Sequence, residues 1–404
     1  MVSLLVQIVL GLFFGHMYDA RISMATGYLV ATGQDPYIPQ DLTSVFHNPA
    51  FQGMTSIGYP PLWPIILGGI YLLAYATIHN FLFYNLAIKL PIIAANLALA
   101  YLVRNILIER GVSQDKSHRA WLFILFNPFL LYFTTAWGQF DSLVALLTVF
   151  SLVLVYRQRI WASSVILALA IALKPTPVPI VLAVVAYLWG APWRKLISFT
   201  AILAFSLLVL CILPFLIFHW DASPILHGWN AQFSVSGGMT LTTLYELLTD
   251  TYLLPGYWWL LGFLWLPAVV VGALFIPRGE LGLDVLITNS LVLTLIFFLT
   301  RTWLSEQNLT LILPLVLILV VMGELPRLSL TIVWVLPLVF TVFNTSPAQL
   351  LFPILPNLMN QLLQWADTFR SARLVARMVL VIPWQVMGWW IVFHRPKKPE
   401  VVVA

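Results

Sequence analysis

Apolar residues run through this chain in long, nearly unbroken stretches, separated by short breaks rich in Pro, Gly and charged side chains. Stretches this long and even do not read as strands, and within lipid only a helix satisfies the backbone of a single segment. The pattern predicts an all-α polytopic membrane protein with about twelve transmembrane helices, near 1–17, 82–107, 120–136, 142–156, 160–173, 177–191, 196–218, 257–277, 283–300, 308–323, 328–343 and 375–393. The 160–173 run is short and needs its flanks, or a locally thin bilayer, to cross. The first run lacks a basic leader and an Ala-x-Ala cleavage site, so it reads as a permanent helix. An amphipathic helix is expected at 20–32, ending at the turn Gly33-Gln34-Asp35-Pro36. Segment 347–365 could cross or lie flat. No repeat of 20–50 residues is visible.

One further apolar run, 61–78, decides the topology. Pro60, Pro61 and Pro64 suit a segment that dips into the membrane or lies along it. Charge counting gives the same answer. If this run does not cross and the N-terminus is cytoplasmic, inner loops hold Arg104, Arg110, Lys116, Arg119, Arg157, Arg159, Arg194, Lys195, Arg278, Arg327, Arg395, Lys397 and Lys398, 13 of the 20 basic residues. If it crosses, only 6 lie inside. The first arrangement leaves two substantial outer segments, 18–81 and 219–256.

Composition excludes other classes. The 404 residues are 61% hydrophobic and only 9% charged, against about 25% charged in soluble domains. The lone cysteine, Cys211, rules out a disulfide scaffold. A net charge of +5 in such a chain reflects loops facing anionic lipid, not nucleic acid. The short inner loops hold no Gly-rich phosphate cradle.

Charges at membrane depth cost roughly 2.5–3.5 kcal/mol each on insertion scales, so their placement is informative. Several collect at the outer ends of predicted spans. Asp19 follows the first helix, with Arg21 nearby. Asp141 lies in Trp137-Gly138-Gln139-Phe140-Asp141-Ser142, Lys174 opens Lys174-Pro175-Thr176-Pro177, and Arg301, Glu306 and Gln307 share the 301–308 hairpin. Each has a plain structural reading. Asp19 could N-cap the next helix, Asp141 could pair with a neighbouring cation, Lys174 could snorkel, and Arg301 could pair with Glu306. Together, however, they have the composition of a site at the water–lipid boundary. His219, Asp221 and His227 lack metal-ligand spacing. Glu246 and Asp250 read as one solvated helix face. Asn308-Leu309-Thr310 and Asn344-Thr345-Ser346 match glycosylation acceptors, a pattern common by chance.

The order of motifs resembles a family. A first helix and an outer Asp precede Gly33-x-x-Pro36-Tyr37 and Tyr59-Pro60-Pro61-Leu62. Asn127-Pro128, Gly138-Gln139-Phe140-Asp141-Ser142 and Leu173-Lys174-Pro175-Thr176-Pro177 follow. Over roughly the first 180 residues this resembles the GT-C superfamily of membrane glycosyltransferases. The nearest branch is that of GPI-anchor mannosyltransferases and their prokaryotic polyprenyl-phosphate-sugar-dependent relatives. The resemblance implies one integral membrane domain over 1–404. Its catalytic core would be 1–191, with juxtamembrane helices in outer loop 18–81, and 192–404 would supply variable helices with outer loop 219–256. It also implies an acidic base in the first loop, a lipid-phosphate sugar donor and, for a prokaryotic chain, the plasma membrane. Several relatives carry Asp-x-Asp in that loop. Here Ala20 and Arg21 follow Asp19, so a two-carboxylate metal site is not implied there.

Sugar transfer from a lipid phosphate needs a base for the acceptor hydroxyl and cations for the leaving phosphate. Asp19 is the expected base. Arg301, then Lys174, would hold the phosphate. Gln139, Asp141, Glu306, Gln307 and Tyr59 would bind hydroxyls or orient those groups. The expected partners are the polyprenyl-phosphate sugar, a glycan, lipid or protein acceptor, and the bilayer, with no nucleic acid. No cofactor is implied, and a divalent metal stays open. Two other classes fit the same composition: a transporter or flippase of a lipid-linked sugar, and a polysaccharide polymerase or ligase. Cysteine labelling tests the orientation. A Gln40→Cys variant should react with an impermeant thiol reagent added outside and a Gln114→Cys variant should not; the reverse pattern would overturn it.

Overall fold

The computed structural model describes residues 1–54, 56–279, 282–356 and 368–394, with backbone alone at 228–232. The described residues are mostly helical. Among them five helices are long and apolar enough to cross a membrane: Phe81–Glu109, Trp193–Phe218, Gly256–Phe275, Arg327–Asn344 and Arg370–Phe393. A sixth candidate is the pair Gln114–Ala136 and Asp141–Tyr156, which qualifies jointly and is bent by 115° at its break. These helices mark an integral membrane protein of the all-α class.

The expected count of about twelve is not reached on length and composition. Val2–Phe13, Ile160–Leu173, Val178–Tyr187, Leu283–Leu299 and Leu313–Met322 are apolar helices of only 10–17 residues. At 1.5 Å per residue they are shorter than a hydrocarbon core of about 30 Å. Three of these runs, 1–17, 177–191 and 308–323, outlast their helices by several residues, whereas 160–173 and 283–300 are matched by helices of nearly the same length. The Val2–Phe13 helix, for instance, stops before Gly15, and a new helix begins at Met17.

Segment 61–78 is not one regular helix. It forms Leu62–Leu73, breaks at Ala74, and adds a short turn, Tyr75–Ile78. Its first part packs on helix Met17–Ala31 at very close range. A Cβ placed on Gly27 would lie 2.8 Å from the Leu67 carbonyl oxygen, so only glycine allows this approach. The Met17–Ala31 helix corresponds to the amphipathic one expected at 20–32. It is not half-exposed, however: Ala20, Ile22, Met24, Ala25, Gly27 and Leu29 are all buried. Packing from several sides takes the place of the lipid surface that an amphipathic pattern suggests.

Polar side chains inside the bundle pin the helices in register. Asn96 on helix Phe81–Glu109 donates to Gln7 Oε1 at 2.8 Å and Thr134 Oγ1 at 2.9 Å, and Thr135 donates to Gln7 at 3.2 Å. One buried network thus joins the first helix, the long helix Phe81–Glu109 and segment 131–136, which winds as a π-helix. Asn127 caps the turn leading into that segment, accepting from Phe129 N and Leu130 N, with Pro128 at the first helical position. At the opposite end of the bundle, Arg110 pairs with Asp284 at 2.9 Å, and Arg157 pairs with Glu109.

Segment 219–256 is tied down at several points. Gly237–Gly238 pairs in parallel with Trp303–Leu304. Gly238 has φ +64°, and a Cβ there would lie 2.0 Å from the Leu304 carbonyl oxygen. Asp221 N donates to Asp35 Oδ2 at 2.6 Å, joining segments 18–81 and 219–256. Arg377 reaches Glu246 at 2.9 Å, so Glu246 is a buried partner of a cation and not a solvated surface carboxylate. The basic residues Arg395, Lys397 and Lys398, and residues 357–365 of the 347–365 segment, lie outside the described residues; Pro347–Leu350 forms a 3₁₀ turn.

Candidate active site

Asp19 is the third residue of helix Met17–Ala31, and His16 occupies its N-cap position. The capping role open to Asp19 is therefore not the one it plays. Its Oδ2 accepts from Trp137 Nε1 at 2.6 Å and lies 3.0 Å from His16 Nδ1. The His16 ring stacks on Trp137, with centroids 3.9 Å apart. Burial pushes the Asp19 carboxyl up, but the hydrogen bond and charge of His16, with the donors Trp137 and Gln139, outweigh it and hold the group below the usual carboxylate range. Asp19 is thus ionised at neutral pH. Arg21 does not pair with it; the guanidinium donates to the carbonyls of Met17, at 2.9 Å, and Ala50.

Next to this cluster stands Tyr59, whose hydroxyl meets Gln139 Oε1 at 3.4 Å. Tyr37 holds the Tyr59 backbone by donating to its carbonyl at 3.0 Å, and Phe140 packs edge-on against the Tyr59 ring. Burial, with the charges of Asp19 and Asp141 close by, pushes the Tyr59 hydroxyl well up, so it stays protonated. On the far side of Tyr59, Lys174 Nζ contacts Asp141 Oδ1 at 2.6 Å, and both side chains are under a tenth exposed. Lys174 therefore does not snorkel. It closes the hairpin formed by helices Asp141–Tyr156 and Ile160–Leu173.

Tyr59 and Lys174 line a cavity of about 340 Å³, completed by Thr176, Val178, Phe233, Trp265, Phe297, Arg301, Trp303, Ser305, Gln307 and Asn308. Its walls are aromatic and aliphatic, and its polar groups come from the hairpins at 174–176 and 301–308. Burial lowers the Arg301 guanidinium to about 10, which leaves it a cation at neutral pH. Its Cζ lies 5.0 Å from the Phe297 ring centroid. A pocket of this size, with two cations among apolar walls, suits a ligand with an anionic head and a ring that can lie against aromatics.

The residues singled out in the sequence fall into three groups. Tyr59, Lys174, Arg301 and Gln307 share the cavity. Gln139 and Asp141 stand behind Tyr59 and Lys174 and hydrogen-bond to them from outside the cavity lining, and Asp19 joins this group only through Gln139. Glu306 points elsewhere: Asn344 Nδ2 donates to it at 2.8 Å, and the carboxyl is buried and pushed up by that burial. Asn308 is a buried cavity residue, which does not suit a glycosylation acceptor. Two residues of the site, His16 and Trp137, are not singled out by sequence reasoning. His16 carries a readable signal, standing one helical turn before Asp19. Trp137 reads only as part of a hairpin, since nothing local shows where its ring nitrogen points. Among the described residues no three His, Cys, Asp or Glu side chains converge as a metal site.

Residues 22–191 match the family model of the alpha-(1->6)-mannopyranosyltransferase N-terminal domain. The matched stretch contains Tyr59, Gln139, Asp141 and Lys174; Asp19 and the 301–308 hairpin lie outside it. No curated protein matches the chain. The chain is similar to GT-C-like mannosyltransferases, and the match supports glycosyltransferase activity, with a sugar donor and an acceptor.

The Asp141–Lys174 contact carries a stability prediction. Lys174→Met leaves a buried carboxylate unpaired and should cost about 3–5 kcal/mol. Adding Asp141→Asn should recover much of that loss. Thermal unfolding of the purified protein in detergent reads both, and equal destabilisation by the single and double variants would contradict the pairing argument.

Proposed function

We propose that the chain is an inverting glycosyltransferase that moves a hexose, mannose before others, from a polyprenyl-phosphate donor to an acceptor. The observation that carries this reading is the pairing of two features across Tyr59. One is a cavity with two cations, and the other is an ionised carboxylate held by three donors. The mannosyltransferase match supports the choice of sugar.

In this reading Arg301 and Lys174 hold the donor phosphate, and the sugar lies against Trp303, Trp265 and Phe297. Asp19 takes the proton of the acceptor hydroxyl. The oxygen attacks the anomeric carbon opposite the phosphate, forming the new C–O bond as the bond to phosphate breaks. The leaving polyprenyl phosphate is a stable anion and needs no proton, so one carboxylate base suffices. Tyr59 and Gln139 stand between base and cavity, where they would orient the acceptor. Asp141 fixes Lys174. Glu306, bonded to Asn344, would brace the Arg301 hairpin and not touch sugar.

The membrane arrangement in this reading is the twelve-span one, with the short apolar helices also crossing through their apolar flanks. The N-terminus is then cytoplasmic and the site faces outward. The core is 1–191, and 192–404 adds the Arg301 hairpin and the wall residue Phe233. The apolar helices Trp193–Phe218 and Gly256–Phe275, both largely unburied in the bundle, would meet lipid and the prenyl chain.

Incubation of the purified protein with polyprenyl-phosphate mannose, glucose or aminoarabinose, with donor loss and product followed by mass spectrometry, tests the activity directly. Uptake into vesicles with no new glycosidic product would point to transport instead. Asp19→Asn should abolish transfer in a protein that still folds, and near-normal turnover would remove Asp19 as base. Because donors depress the Asp19 pKa, the base is lost only as pH falls through a value below the ordinary Asp pKa of about 3.9, so the acid limb of kcat/KM should lie below it. Arg301→Ala should raise the donor KM by roughly ten- to a hundredfold, as expected for a lost charged hydrogen bond. A change confined to acceptor kinetics would exclude the phosphate role.

A further inference from the structure

Lys89 is buried to 1% exposure inside helix Phe81–Glu109, in the middle of an apolar run. Its ammonium has three protons, and three carbonyl oxygens receive them. Nζ donates to Phe14 O, to Ala136 O at 3.1 Å and to Gly11 O at 3.4 Å. Among the described residues no carboxylate pairs with it. A buried cation satisfied by carbonyls alone is costly compared with a methionine or leucine of similar volume. What offsets the cost is the location. Gly11 and Phe14 lie at the C-terminal end of the first helix and Ala136 at the end of the π-helical segment, where backbone carbonyls carry partial negative charge.

The chain leaves both of these ends toward Asp19. Two residues after Phe14 comes His16, which hydrogen-bonds Asp19 and stacks on Trp137. Directly after Ala136 comes Trp137, which donates to Asp19, and two further on is Gln139. Asn85, one turn before Lys89, also serves the first end, donating to Gly11 O at 2.8 Å, Leu12 O at 3.2 Å and Phe14 O at 2.8 Å. Asn85 does not reach Ala136. Just beyond these ends His16 N donates to the Trp137 carbonyl at 3.1 Å; among the described residues, the side chain that hydrogen-bonds carbonyls at both ends is Lys89.

We propose that Lys89 is a positioning residue for Asp19: its ammonium ties together the two helix ends from which the donors to that carboxylate emerge. The catalytic consequence rests on Asp19 being the base; the geometric one does not. The deeper Asn96–Gln7–Thr135 network still joins the same segments when Lys89 is lost, so the fold has a second tie.

The test uses Lys89→Met in the full-length protein, with Lys89→Gln, which keeps a shorter neutral donor, as a second variant. With polyprenyl-phosphate mannose, kcat of the Met variant should fall by about 10- to 100-fold, the size expected for a displaced catalytic group, and the Gln variant should fall less. Donor KM should stay within about twofold, because the cavity cations are untouched. Combined with Trp137→Phe, the second substitution should add little, because both act through one contact. A kcat near wild type, a parallel loss of kcat and donor affinity, or fully multiplicative effects with Trp137→Phe would each overturn the proposal. A second measurement does not need turnover. Hydrophobic carbodiimide labelling of Asp19, read by peptide mass spectrometry, should be several-fold faster in Lys89→Met than in wild type. An unchanged rate would overturn the proposal even if wild type transferred no sugar, an outcome that by itself would count only against the glycosyltransferase reading.

Discussion

Asp141 and Lys174 meet at 2.6 Å with both side chains under a tenth exposed, and much of the site end depends on that contact. Each charge alone would be prohibitive among apolar helices; together, with good geometry, they are tolerated. The pair joins the start of one helix to the end of the next, while the short link 157–159 joins their other ends. The hairpin is therefore closed at both ends. That closure fixes Gln139 and Phe140 on one side and Pro175 and Thr176 on the other, and Tyr59 packs between them.

The same rule, that a polar group removed from water must find its partner inside the protein, explains the rest of the site end. Asp19 is met by His16 and Trp137. Glu306 is met by Asn344. Lys89 and Asn85 take up the carbonyls at the end of the first helix. Apart from His16, each partner comes from a different stretch of chain, so satisfying these groups also assembles the site. The C-terminal half contributes by the same means. The tight pairing of Gly237–Gly238 with Trp303–Leu304 holds segment 219–256 against the Arg301 hairpin, placing Phe233 and Arg301 on one cavity. The match to the mannosyltransferase domain stops at residue 191, although the cavity draws on residues well beyond it.

Several of these features are legible in the linear pattern. The scarcity of charge places the chain in a membrane. The break within 61–78 falls at Ala74, away from Pro60, Pro61 and Pro64. The helices appear where the apolar runs lie. Some lengths are less legible, because apolar flanks look the same whether they are helical or not: runs 1–17, 177–191 and 308–323 yield Val2–Phe13, Val178–Tyr187 and Leu313–Met322. The burial of helix Met17–Ala31 is hidden for a similar reason. Gly27 looks like a weak helix residue in sequence but serves as the contact point for Leu67.

Hydrophobicity and charge are properties of each residue, and they act over a helix length or less. For that reason the amino-acid order alone sets the class of the protein, the positions of its helices and the short list of ionisable residues from which a site could be built. Which of those residues meet is a matter of packing between helices. Packing sets Lys174 on Asp141 and turns Arg21 and Glu306 away from the places expected for them. It also brings Trp137 to Asp19 from 118 positions along the chain. Such contacts depend on how helices cross and where side chains point, neither of which a linear pattern records.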